Sequence, residues 1–228
     1  MNNNSTLFIV STPIGSWDDI TVRALQVLRD ATVIACEDTR ETRQLLDHFD
    51  IPIEGKQLLS YHAQSKMSRE DDIMRLLEDG VSVALVSDRG TPGISDPGSR
   101  LIQRAITNGI LVVPVPGASA FVAALTASGA DTSSFEYVGF IPHKKGRQTL
   151  FAKMMAAEHT MIAYESPHRL LKTLEALKDS PKQLIVAREL TKMHEEFVRG
   201  TCAEVFAEFS ARDKILGEFV IIINARPA

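Results

Sequence analysis

The chain has 228 residues, a formal net charge of −4, 44% hydrophobic and 24% charged residues, values that exclude a disordered or low-complexity polypeptide and admit one large domain or two modest ones. No apolar run approaches the roughly 18–20 residues that span a bilayer, and residues 1–6 (MNNNST) have neither the basic nor the apolar part of a secretory signal, so a cytoplasmic protein is expected. Cys36 and Cys202 stand far apart in no Cys-x-x-Cys or Cys/His arrangement, so neither a disulfide framework nor a bound metal is expected. An acidic balance also means that any RNA role requires a local basic patch. Pro142-His143-Lys144-Lys145-Gly146-Arg147 and His168-Arg169 are the candidates, patterns that more often form solvated loops or helix ends.

In chain order, β-branched runs at 7–11, 32–36, 57–60, 81–87 and 111–115 predict strands with helical patterns between them. Asp18 or Asp19 is expected to cap a helix carrying Val22, Leu25 and Leu28, and Ser68 with Asp71 resembles a capping box ahead of Ile73, Leu76 and Leu77. Such alternation implies right-handed crossovers and a parallel sheet. Punctuation at Pro114-Val115-Pro116-Gly117 places a domain boundary there, giving an N-terminal domain over 1–116 and a C-terminal domain over 117–228. A helix over about 119–127 follows, then a break at Ser128-Gly129-Ala130-Asp131. The second half predicts strands at 135–140, 160–164, 183–187, 195–200 and 218–224, and Leu170, Leu171, Leu174 and Leu177 fall at helical spacing over 167–178. Residues 189–194 are too few for a crossover helix, so the flanking strands are expected to be antiparallel and the second sheet mixed. The fold class is α/β, as two α/β domains.

The densest punctuation is the segment SDRGTPGISDPG over 87–98, set between a buried-type strand and a helix. Ser95 or Asp96 can cap that helix with Pro97 at its first position, while Gly90 and Gly93 permit backbone conformations or a close ligand approach. Ligands bind beyond the carboxyl ends of strands in open α/β sheets, yet the same residues also make a plain turn and cap. Strand one runs into STPIGSWD over 11–18, where a dinucleotide-binding chain would carry Gly-x-Gly-x-x-Gly. That fingerprint is absent, as is any P-loop, which argues against nicotinamide and nucleoside-triphosphate chemistry. Polar clusters fall where other strands end: Cys36-Glu37-Asp38-Thr39-Arg40, Tyr61-His62, Tyr164-Glu165-Ser166-Pro167-His168-Arg169 and Arg188-Glu189. They suit a cleft. For Glu37, Asp38 and Arg40 an N-capped helix with a short-range ion pair is the simpler reading, and Glu165, with Ser166 as N-cap and Pro167 behind it, fits either a cleft carboxylate or a solvated strand end.

Taken together, VSTPIGSWDDIT, CEDTR, SDRGTPGISDPG, VPGASA, GFIPHKKGR, YESPHR, ARELTKMHEE and GEFVIII resemble the S-adenosylmethionine-dependent tetrapyrrole-methylase superfamily, and SDRGTPGISDPG with YESPHR resembles its ribosomal branch in particular. The resemblance runs in order from Phe8 to Ile223. It implies two α/β domains with the methyl donor in the interdomain cleft, a homodimer, and 2′-O-methylation of a cytidine ribose in the 16S rRNA of the small ribosomal subunit. It also implies donor contacts from Pro13, Asp88, Thr91, Gly93, Ile94, Ser119, Ala120, Tyr164, Glu165, Ala187, Arg188 and Gly217. S-adenosylmethionine asks for backbone donors and carbonyls, an apolar slot and few fixed charges, which a Gly/Pro-rich loop supplies. Family members usually continue past GEFVIII into a short helical region, whereas this sequence ends at Ala228. If that region helps grip RNA, the expectation is donor binding with poor methylation.

For methyl transfer to a ribose hydroxyl, positioning supplies much of the rate, and neither a metal nor a nucleophilic side chain is needed. A proton acceptor is the open role, for which Glu165, Glu37 and His62 are candidates. RNA contacts are expected from His143, Lys144, Lys145 and Arg147 together with His168, Arg169 and Arg40. Two alternatives stand beside this reading: a small-molecule methyltransferase acting on a tetrapyrrole with the same donor site, and a non-catalytic ribosome-associated sensor of the donor.

Overall fold

The computed structural model describes residues 5–62 and 67–227. The chain forms two compact units, one ending at Ser119 and the other starting at Ala120. This division falls later than the limit expected after residue 116, because the residues following Pro116 stay tied to the first unit. The Ala118 carbonyl accepts from Thr91 Oγ1 at 2.9 Å, and Gly117 lies so close to Ser11 that a Cβ there would sit 2.7 Å from the Ser11 Cβ. No helix among the described residues is long and apolar enough to cross a membrane.

The first unit holds strands β1 (Thr6–Val10), β2 (Val33–Cys36), β3 (Gln57–Ser60), β4 (Val83–Val86) and β5 (Leu111–Val115) and helices α1 (Val22–Asp30), α2 (Thr39–His48), α3 (Met67–Glu78) and α4 (Ser99–Thr107). The strands are all parallel in the order β3-β2-β4-β1-β5. β2 and β4 are buried at every position, which is why they read as unbroken apolar runs without alternation. Ala24 and Leu28 of α1 and Leu45 and Leu46 of α2 cover one face, while Ile73, Met74 and Leu77 of α3 and Leu101 and Ala105 of α4 cover the other.

Helix starts depart from expectation where a tertiary partner chooses the cap. Thr21 caps α1, its hydroxyl accepting from the Ala24 N–H at 3.1 Å and donating to the Pro116 carbonyl at 3.3 Å, and Asp18 and Asp19 fall in a preceding 3-10 turn. Ser68 and Asp71 lie inside α3, where Asp71 accepts from Arg104 Nη2 at 2.8 Å. α4 starts behind Gly98, at φ 144°, so neither Ser95 nor Asp96 is its cap.

The second unit holds β6 (Phe135–Phe140), β7 (Thr160–Glu165), β8 (Lys182–Arg188), β9 (Glu196–Thr201) and β10 (Phe219–Pro227), with α5 (Ala120–Ser128), α6 (Arg147–Ala156), α7 (Pro167–Leu177) and α8 (Cys202–Ser210). Its order is β6-β7-β10-β8-β9, with β6 and β7 parallel and the other neighbours antiparallel, the mixed sheet that the short 189–194 connection requires. Phe151 and Met154 of α6, Leu170, Leu174 and Leu177 of α7, and Val205 and Phe209 of α8 share one core with Met161 and Ala163 of β7 and Ile221 and Ile223 of β10. α5 packs against β7, β8 and β10. Strand alternation sends Glu165 to the face of Met161 and Ala163 and Tyr164 to the face of Ile162.

Candidate functional site

The carboxyl ends of β1, β2 and β4 carry loops 11–18, 37–38 and 87–98 onto one edge of the first sheet. β1 and β4 are neighbours, and the chain leaves them in opposite directions, to β2 and to β5. Their shared edge is thus a topological switch point, where open α/β sheets hold ligands. Backbone hydrogen bonds of 2.8 and 3.1 Å join Thr12 to Gly90, and Thr91 Oγ1 lies 2.9 Å from Ser11 Oγ, so the two loops form one platform. Pro13 is buried in it and, with Thr12, Trp17, Asp88 and Arg89, lines a small pocket. Gly93 and Ile94 line a shallower apolar depression with Ile102 and Ile106, and Ser119 is half-buried at the end of the unit.

Carboxylates collect on this edge. Burial pushes Asp96 up to about 7, with Glu37 and Asp88 adding to the rise against a hydrogen bond from Ser87. Burial raises Glu37 as well, Asp88 adding to it and His62 opposing it, so the structure brings Glu37 and the exposed His62 into one electrostatic neighbourhood. Asp88 Oδ1 accepts from the Asp38 N–H at 2.8 Å, linking the ends of β2 and β4. Asp38 caps α2 and pairs with Arg40 at 2.6 Å, and the hydrogen bonds from Arg40 hold its carboxyl at about 2. The capped helix with its ion pair is what the spacing favoured, and Arg40, although 83% exposed, has its charge matched by Asp38.

In the second unit the antiparallel register sets the carboxyl ends of β7 and β8 against the start of β10. Val220 pairs with both Tyr164 and Ala187, and Phe219 with both Glu165 and Arg188. Tyr164, Ala187, Arg188 and Gly217 therefore meet at one sheet edge. Tyr164 Oη accepts from the Phe121 N–H at 3.1 Å in the first turn of α5, next to Ala120, and its ring meets Tyr137 and Phe140 edge-on. Arg188 donates to the Leu216 carbonyl at 2.6 Å and to Glu196 at 2.9 Å. Gly217 has φ 108°, and a Cβ there would meet Glu189 Cγ at 2.6 Å.

Glu165 fits neither environment expected of it. Its side chain is fully buried, and four donors reach it: Arg147 Nη1 at 3.2 Å and Thr173 Oγ1 at 2.6 Å on Oε2, Arg169 Nη2 at 2.6 Å and the Ser166 N–H at 2.7 Å on Oε1. These occupy the lone-pair directions of a carboxylate, leaving none for a substrate proton. Arg147 and Arg169 are correspondingly removed from the surface, at 13% and 16% exposure, and turned onto protein groups. Both were expected to face RNA. Of that set, His143, Lys144, Lys145 and His168 are exposed. Thr173 belongs to none of the motifs in the sequence; its signal is a hydroxyl one turn after Arg169, amid Leu170, Leu174 and Leu177. In the sequence Asp96 is legible only as a cap, and nothing in spacing marks it as a titrating group.

The family model for tetrapyrrole (corrin/porphyrin) methylases matches residues 6–205. The chain is 44% identical to the ribosomal RNA small subunit methyltransferase I of Halalkalibacterium halodurans, over 98% of this chain and 77% of that protein. It is 43% identical to the protein of the same name from a Hydrogenobaculum species, over 96% of this chain and 95% of that one. Among solved structures, the uroporphyrin-III C-methyltransferase of Thermus thermophilus in complex with S-adenyl homocysteine superposes with a TM-score of 0.65 at 17% identity, covering 96% of this chain and 97% of that one, a likeness of fold.

Proposed function

We propose, from the premise that the chain belongs to the tetrapyrrole (corrin/porphyrin) methylase family, that it methylates the 2′-hydroxyl of a cytidine ribose in the 16S rRNA of the small ribosomal subunit. It is a methyltransferase that uses S-adenosylmethionine. The observation that carries the choice of RNA over a tetrapyrrole is the identity of 44% and 43%, over nearly all of this chain, with proteins named for the small-subunit rRNA. In the cytoplasm, as a homodimer, the enzyme would meet the small subunit itself or its RNA.

The residues present fit the cofactor. Bound S-adenosylmethionine supplies a methyl group on a positively charged sulfur, already activated for transfer. Asp88, which links the ends of β2 and β4, places a carboxylate at the switch-point edge, which favours cationic groups over neutral ones. We carry over Pro13, Asp88, Thr91, Gly93, Ile94 and Ser119 of the first unit and Ala120, Tyr164, Ala187, Arg188 and Gly217 of the second as donor contacts. For the proton released as the ribose oxygen bonds to the methyl carbon and the carbon–sulfur bond breaks, we take Glu37 as the acceptor, with His62 in its electrostatic neighbourhood. Burial raises Glu37, which makes it a stronger base near neutral pH than an ordinary carboxylate. Glu165, whose oxygens are saturated by four protein hydrogen-bond donors, is left out of that role and of the contacts to S-adenosylmethionine.

The test follows labelled methyl from S-adenosylmethionine into small subunits lacking the modification, beside naked rRNA and a tetrapyrrole, and maps the product by its resistance to alkaline cleavage. Label at an alkali-resistant cytidine is expected; label in the tetrapyrrole alone overturns the reading. In the same assay Glu37→Gln should lower kcat by about 100-fold or more and remove the acid limb of the pH profile, while donor affinity stays. An unchanged profile would remove Glu37 from the chemistry.

A further inference from the structure

We propose that Glu165 is a positioning residue for RNA, which through Arg147 and Arg169 fixes the backbone from which His143, Lys144 and Lys145 are presented. The inference rests on the RNA reading above and assigns the work of the buried carboxylate that the methyl-transfer chemistry does not use.

The basic segment follows β6 directly. Ile141 is fully buried, Pro142 half-buried, and residues 143–146 are exposed before α6 begins at Arg147. An exposed loop with two lysines would ordinarily sample many conformations and lose that freedom on binding, which weakens affinity. Here it is held at its base. The Ile141 N–H donates to the Tyr164 carbonyl at 3.0 Å, the Ile141 carbonyl accepts from Arg169 Nη1 at 2.8 Å, and the Pro142 carbonyl accepts from Arg147 Nη1 at 3.2 Å. The Arg147 N–H closes the loop onto the Lys144 carbonyl at 3.2 Å.

Neither guanidinium could hold those carbonyls without being held itself. Arg147 is bonded to Glu165 at 3.2 Å and to Thr173 Oγ1 at 2.6 Å, and stacks over the Phe151 ring at 4.9 Å. Arg169 is bonded to Glu165 at 2.6 Å and to Ser166 Oγ at 3.1 Å. One carboxylate thus orients two planar forks, each of which also donates to one of two consecutive loop carbonyls, a geometry a lysine could not reproduce. Two guanidiniums against one carboxylate also leave the node net positive beneath an already basic loop. That charge adds to attraction for phosphates.

The experiment compares wild type, Glu165→Gln, Thr173→Val and the pair Lys144→Glu with Lys145→Glu, alone and combined with Glu165→Gln. It reads methyl transfer to small subunits, affinity for S-adenosylhomocysteine, and hydrogen exchange of the amides at 141–147. Glu165→Gln is expected to raise KM for subunits about tenfold, with kcat within about twofold, the pH profile and the S-adenosylhomocysteine affinity unchanged, and faster exchange at 141–147. The lysine reversals should cost less in that background than in wild type, because they act through the same loop. A fall in kcat with a shifted pH profile at constant KM would instead put Glu165 in the proton transfer, and unchanged exchange would show that it does not hold the loop. Either result overturns the proposal. Should Glu165→Gln fail to fold, Thr173→Val, which keeps the carboxylate and removes one hydroxyl from it, is read by the same criteria. If wild type transfers no methyl to rRNA, the functional reading fails by itself, and exchange at 141–147 in the variants then decides whether the node anchors the loop.

Discussion

Asp96 shows how placement sets a side chain's chemistry. Its carboxyl is pushed up to about 7 from an ordinary 3.8, first by burial and then by Glu37 and Asp88. A carboxyl raised on folding favours the folded state most when protonated in it. Its contribution is therefore complete below about 3.8 and is lost as pH rises toward about 7. Asp96→Asn removes this loss, so the variant's gain in Tm over wild type should widen from pH 4 to pH 7 and then level off, measured by thermal denaturation at low salt. A constant difference across that range would mean that the charge on Asp96 is not set against its neighbours. At Glu165 the burial of a carboxylate is matched by two guanidiniums, a hydroxyl and a backbone N–H, the condition under which a buried charge is tolerated.

At the scale of elements, strands and helices were legible from periodicity, because β2 and β4 are continuous apolar runs and α7 carries Leu170, Leu174 and Leu177 on one face. Their ends were less so. Thr21 displaces Asp18 and Asp19 as a cap because the Pro116 carbonyl, far along the chain, accepts its hydroxyl proton. The turn into β10 is a comparable long-range device: Glu189, itself at φ 51°, lies where a Gly217 side chain would be, accepts from the Glu218 N–H at 2.9 Å and bonds Lys192 at 3.0 Å. Gly217→Ala combines a positive φ with a clash at 2.6 Å. It should cost about 1–3 kcal/mol in chemical denaturation and weaken S-adenosylhomocysteine binding in calorimetry. Full stability would show that Glu189 moves aside freely.

For the whole molecule, a net charge of −4 and the proposed RNA substrate are reconciled by segregation. Carboxylates gather at the edge of the first sheet, and exposed His143, Lys144 and Lys145 sit on one loop of the second unit. Charge reversal at Lys144 and Lys145 should leave Tm nearly unchanged, weaken RNA binding, and flatten its logarithmic salt dependence by about 0.7 for each phosphate no longer neutralised. An unaltered slope would place the RNA grip elsewhere. The alternation of strands and helices, the parallel first sheet and the mixed second one followed from the sequence alone, since burial period and connection length are local properties. The motifs along the chain likewise sufficed to identify the family. Only the tertiary structure decided which charges are spent inside the protein and which face outward. Arg147 and Lys144 stand three residues apart and read alike in sequence, yet one is consumed by Glu165 and the other exposed, because the partner that distinguishes them comes from a different strand.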